Sequence, residues 1–124
     1  MEIEDYVSIE VAKLLQEKGF DEPCDMMYNE KDESFEYSCY TLTKEGFRNS
    51  FLCDCEVAVP SLYEAQKWLR RKGIHINIYY SHIYNGWSPD IFLIAQISYV
   101  KDIGYYSTYE EALNVSILEA LKLI

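Results

Sequence analysis

Apolar residues at the end of the chain fall at helical spacing. Leu113, Ile117, Ala120, Leu121 and Ile124 stand at i, i+4, i+7, i+8 and i+11, one stripe of an amphipathic helix. Two overlapping capping boxes, Ser107 with Glu110 and Thr108 with Glu111, open it. Ser8 can cap a first helix running to about Lys18, with Ala12, Leu14 and Leu15 as its apolar strip and Gly19 as its stop. Pro60-Ser61-Leu-Tyr-Glu64 starts a middle helix, whose stripe is Leu62, Ala65, Trp68 and Leu69. Lys67, Arg70, Arg71 and Lys72 crowd its last turns, where cations complement the helix dipole, and Gly73 ends it.

Period-two alternation marks the strands. A short one lies near Cys24 to Tyr28, before the polar turn Asn29 to Ser34. Phe35, Tyr37, Cys39 and Thr41 alternate with Glu36, Ser38 and Tyr40 in a second. A third is expected from about Ser50 to Val59, with Phe51, Cys53, Cys55, Val57 and Val59 on its apolar side. Ile74, Ile76, Ile78 and Tyr80 alternate with His75, Asn77, Tyr79 and Ser81 in a fourth, extending toward Tyr84. Asn85-Gly86 signals a hairpin, and the return strand is expected from Ile91 to about Val100.

The expected fold class is α+β in the order α-β-β-β-α-β-β-α. No linker interrupts residues 1–124, so they read as a single α+β domain. The simplest architecture is one mostly antiparallel sheet with the helices on one face. Strand three, helix two and strand four form a right-handed crossover if those strands are neighbours.

Charge narrows the partners. The net charge is −10, and residues 1–60 carry all of it, with fifteen acids against five bases. Residues 61–124 balance six acids with six bases. Phosphate backbones repel such a first half, so nucleic-acid binding is disfavoured. The α-β-β-β-α order from Ser8 to Lys72 matches that of double-stranded-RNA-binding domains. Those need a basic start to their second helix, where this chain has Glu64. No apolar run is long enough for a membrane span, and the acidic start Met-Glu-Ile-Glu-Asp is unlike a secretory signal. The chain reads as cytoplasmic.

Chemistry is sparse. Four cysteines at 24, 39, 53 and 55 read as reduced thiols. Cys53 and Cys55 are expected on a buried strand face; the alternative is a metal site completed by Cys24, Cys39 or a histidine. His75 and His82 lie seven residues apart and point to opposite faces of an unbroken strand, so they make no metal pair there. Asp54 and Glu56 share one face without a third ligand or a calcium-type glycine loop. No phosphate-cradling loop, nucleophile elbow or His-Glu-x-x-His is present. No catalytic residue, cofactor or metal site is therefore assigned. Twelve tyrosines suit sheet surfaces and interfaces. Trp87 beside the hairpin turn, Tyr84 next to it, and the strip His75, Asn77, Tyr79 make the candidate interaction surface. The alternative for Trp87 is that it covers one end of the core.

Three stretches together resemble a known group: Ser8-Ile-Glu-Val-Ala-Lys-Leu-Leu-Gln-Glu-Lys-Gly-Phe20, Pro60-Ser-Leu-Tyr-Glu-Ala-Gln-Lys-Trp-Leu-Arg-Arg71, and Thr108-Tyr-Glu-Glu-Ala-Leu113 with Glu119-Ala-Leu-Lys-Leu-Ile124. They are similar to a family of small uncharacterised proteins of gut anaerobic bacteria and their phages or mobile elements. The resemblance implies an accessory protein and brings no activity, cofactor or catalytic residue. The leading expectation is a non-catalytic interaction protein whose partner is another protein. The rivals are a small-ligand binder or enzyme using the exposed sheet face, and an acidic nucleic-acid mimic.

Overall fold

Local capping chemistry sets the helix ends in the computed structural model, which describes residues 2–37, 46–95, 97–100 and 103–124. Helix α1 (Ile9–Glu17) begins where Ser8 Oγ accepts from the Val11 N–H at 3.3 Å. It ends in a Schellman motif around Gly19, whose φ of +96° is left-handed. The Phe20 N–H donates to the Leu15 carbonyl and the Gly19 N–H to that of Gln16. Phe20 and Leu15, the apolar pair that accompanies this motif, are both buried.

The described residues gather into two compact units, Tyr6–Ser61 and Met1–Asp5 with Leu62–Ile124. The first holds α1 and three antiparallel strands, β1 (Met26–Asn29), β2 (Ser34–Tyr37) and β3 (Glu56–Ala58), in the order β2-β1-β3. Helix α1 packs on β3, around Val11, Ala12, Leu15, Met26, Val57 and Ala58. The second unit holds α2 (Leu62–Arg71), β4 (Ile74–Ser81), β5 (Gly86–Leu93), β6 (Ser98–Val100) and α3 (Tyr109–Leu121). Its sheet runs β4-β5-β6, all antiparallel, with α2 and α3 packed on it. The fold is thus α+β, with helices against a sheet face and antiparallel strands.

The middle helix buries Leu62, Ala65, Trp68 and Leu69 as its stripe predicts. In α3, Thr108 Oγ1 accepts from the Glu111 N–H, so of the two possible boxes the second supplies the cap. The Glu111 carboxylate accepts from the Ser107 hydroxyl instead of reaching back to Thr108. Leu113, Ile117, Ala120 and Leu121 are buried, but Ile124 lies past the helix end and is exposed.

Several expectations change. The strands divide between two three-stranded sheets instead of forming one, and β3 and β4 belong to different sheets, so no crossover joins them. The expected strand from Ser50 to Val59 shrinks to β3 because Asn49 takes over its start. Asn49 Oδ1 accepts from the Ala58 N–H, its Nδ2 donates to the Phe20 carbonyl, and residues Asn49–Phe51 form a 3-10 turn. The Ser50 N–H donates to Asp21 Oδ1, and this bond holds the Asp21 carboxyl below the ordinary aspartate value. Past Tyr37 the expected second strand lies outside the described residues, as does Cys39. His82 sits in the turn after β4 and not in the strand. The return strand starts earlier than Ile91 and splits into β5 and β6, giving three strands between α2 and α3. No helix among the described residues is long and apolar enough to cross a membrane.

Candidate functional site

Ladder geometry decides what the sheet of the second unit exposes. The β4–β5 register pairs Ile76 with Ile91, Ile78 with Pro89 and Tyr80 with Trp87. Ile74, Ile76 and Ile91 are buried on the side that α2 and α3 cover. The opposite face carries His75 with Phe92, Asn77 with Asp90, and Tyr79 with Ser88, continued by Tyr99 of β6 opposite Phe92. Tyr99 is 60% and Tyr79 42% exposed, and the Phe92 and Tyr99 rings lie 4.7 Å apart. Aromatic pairs across strands stabilise the sheet while presenting broad amphipathic area.

The structure therefore keeps His75, Asn77 and Tyr79 together and separates Trp87 from them. As the cross-strand partner of Tyr80, Trp87 points to the helix side. There its ring packs at 5.2 Å from Tyr80 and 5.5 Å from Tyr109, half-buried. Its N–H and carbonyl both bond Tyr106, at 2.8 Å each. Tyr84 sits in the β4–β5 turn, exposed and stacked on Tyr105 at 4.5 Å. In that turn Asn85 takes the left-handed conformation, at φ +55°. Gly86 begins β5, where an added Cβ would come within 3.1 Å of the Tyr106 carbonyl. The Asn-Gly pair thus marks the turn, but its glycine answers a close backbone approach.

Sequence reasoning missed Phe92 and Tyr99. In one continuous strand their odd separation sets them on opposite faces; the turn after Leu93 folds β6 back and pairs them. That turn has no glycine, proline, asparagine or aspartate to announce it. It is closed by the Ile97 N–H donating to the Ile94 carbonyl, with Ile97 at φ +48°, a costly conformation for a β-branched residue.

The first unit carries an open cleft of about 310 Å³, lined by Lys13, Glu17, Glu30, Asp54, Cys55 and Glu56 among others. Lys13 is ion-paired with Glu30 there. Cys53, expected on a buried strand face, is exposed, and Cys55 is only partly covered, because the chain turns before β3. Cys24, Cys53 and Cys55 are free thiols. Among the described residues no group of three or more His, Cys, Asp or Glu side chains could hold a metal ion. Glu56 accepts from the Cys53 backbone N–H at 2.9 Å, and its hydrogen bond and charge push the Cys53 thiol above the ordinary cysteine value. A raised thiol pKa means less thiolate at neutral pH. Iodoacetamide is therefore expected to label Cys53 slowly at pH 7, with the rate climbing past the ordinary thiol pKa and Glu56→Gln accelerating it at pH 8. Peptide mass spectrometry reads the sites; labelling of the buried Cys24 ahead of Cys53 in native protein contradicts this.

Comparison with protein-family models, curated proteins and solved structures finds no match to this chain.

Proposed function

We propose that the protein is a non-catalytic accessory that binds another protein through the residues exposed on the β4-β5-β6 sheet face opposite α2 and α3, His75, Asn77, Tyr79 and Tyr99. The observation that carries this reading is the exposure on one face of Tyr99, against Phe92, and of Tyr79, in line with Asn77 and His75 along β4. Tyrosines are favoured in binding hot spots because a large amphipathic ring is ordered at small entropic cost. Such a face needs no reacting group, only complementary packing. The resemblance to small proteins of gut anaerobic bacteria and their phages or mobile elements supports an accessory role. Tyr84, stacked on Tyr105 at the turn, would extend the contact from the strand end.

Paired substitution tests the reading. Tyr79→Ala with Tyr99→Ala is expected to leave the protein folded and to lower stability only modestly, by about 1 kcal/mol, since both rings are partly exposed and the loss is mainly cross-strand pairing. Capture of the partner should fall about tenfold or more, roughly 1.4 kcal/mol. Full retention of the partner by the folded double variant would remove this face from consideration.

A further inference from the structure

We propose that β4 is a self-association edge, pairing antiparallel with β4 of a second copy so that two three-stranded sheets join into one. Strand β4 lies at the edge of its sheet, and its register with β5 runs unbroken from Ile74 to Ser81. Exposed edges are normally blunted by charge, proline, a bulge or shortness. This edge has none of these devices. From Gly73 to Pro89 there is no Asp, Glu, Lys or Arg, the longest such stretch in the chain. In a molecule of net charge −10, self-contact is favoured where no charges oppose each other, and that place is β4.

The ladder identifies which groups are available. Trp87 bonds Tyr106, away from β4, so Ser88 turns its N–H and carbonyl toward Tyr79. By alternation, Ile76, Ile78 and Tyr80 direct their backbone groups outward. Gln66 Nε2 of α2 already donates to the Ile76 carbonyl at 3.2 Å, occupying the outward acceptor at that end of the edge. The open groups are then those of Ile78 and Tyr80, to which no other strand is paired among the described residues.

A two-fold axis at Tyr79 satisfies both residues. Ile78 of one copy faces Tyr80 of the other, each exchanging its N–H and carbonyl, and Asn77 faces Ser81. Tyr79 meets its own counterpart as a non-hydrogen-bonded pair, the geometry in which cross-strand side chains approach most closely. The interface is isologous and small, so the association is weak.

Sedimentation across roughly 1 µM to 1 mM tests this proposal. Wild type should shift from 14.6 kDa toward twice that mass. Ile78→Pro removes one outward N–H without touching the β5 ladder, since proline is tolerated at such edge positions. It should sediment as a monomer. Tyr79→Lys, whose side chain is already exposed, places like charges on the axis and should do the same while its circular dichroism stays native. Tyr99→Ala, on the far strand, should still dimerise; this separates the edge from the partner-binding face. A wild-type monomer at the highest concentration, or a dimer that persists in Tyr79→Lys, overturns the proposal, as does dimer loss in folded Tyr99→Ala.

Discussion

Replacing Ile117 by Ala is expected to lower stability by about 3 kcal/mol. Ile117 is wholly buried at the centre of the α3 stripe, and α3 packs on β4, β5 and α2. The substitution removes apolar contact with water-free surroundings and leaves a cavity that the flanking elements close only in part. Helix propensity pulls the other way, since Ala is the better helix former, but that gain is a few tenths of a kcal/mol. The cavity wins. Trp68 and Trp87, the two tryptophans of the chain, both belong to the unit that contains α3. Tryptophan fluorescence in urea therefore reads this unit, and the midpoint should fall with little change in slope. A loss below about 1 kcal/mol would show that the site collapses around the smaller side chain.

Gly46→Ala is expected to cost about 3 to 4 kcal/mol in the other unit, from two separable sources. Gly46 has φ +53°, where an L side chain is disfavoured by roughly 1 to 2 kcal/mol. Its added Cβ would also lie 2.5 Å from the Cys24 carbonyl oxygen, a contact with backbone that no rotamer relieves. Cys24 and Phe47 exchange two backbone hydrogen bonds at 2.7 and 2.8 Å, so the displaced carbonyl belongs to a bridge. Weakening it forfeits about 1 kcal/mol per bond. Gly19→Ala is the comparison. It is also left-handed, but nothing lies within 4 Å of the added Cβ, so only the backbone cost of roughly 1 to 2 kcal/mol should appear. Far-UV circular dichroism measures both, because neither tryptophan reports on this unit. Equal losses for the two variants would mean that the Cys24–Phe47 bridge yields without cost.

By itself the sequence determined what depends on a few neighbouring residues. Ser8 and Thr108 cap helices because the groups they satisfy lie three residues ahead. The stripe Leu62, Ala65, Trp68 and Leu69 is buried because helical period alone puts those side chains on one side. The alternation His75, Asn77, Tyr79 against Ile74 and Ile76 survives intact, since strand period requires no knowledge of partners. Only the tertiary structure decided which strands pair, and with that which faces form. The third strand starts only at Glu56, with Asn49 in a 3-10 turn reaching across to Ala58, and this leaves Cys53 exposed where alternation predicts burial. The turn at Ile94 and Ile97, held by sheet pairing against its own backbone preference, brought Tyr99 beside Phe92. Pairing with Tyr80 sent Trp87 to the helix side, away from the His75, Asn77, Tyr79 strip with which the sequence pattern groups it. Pro89 is accommodated because its missing N–H points, like the N–H of Trp87, away from β4, at a level that β6 does not reach. Each of these outcomes follows from strand pairing, turn geometry or a side-chain bond to another segment, which the hydrophobic pattern of one segment does not encode.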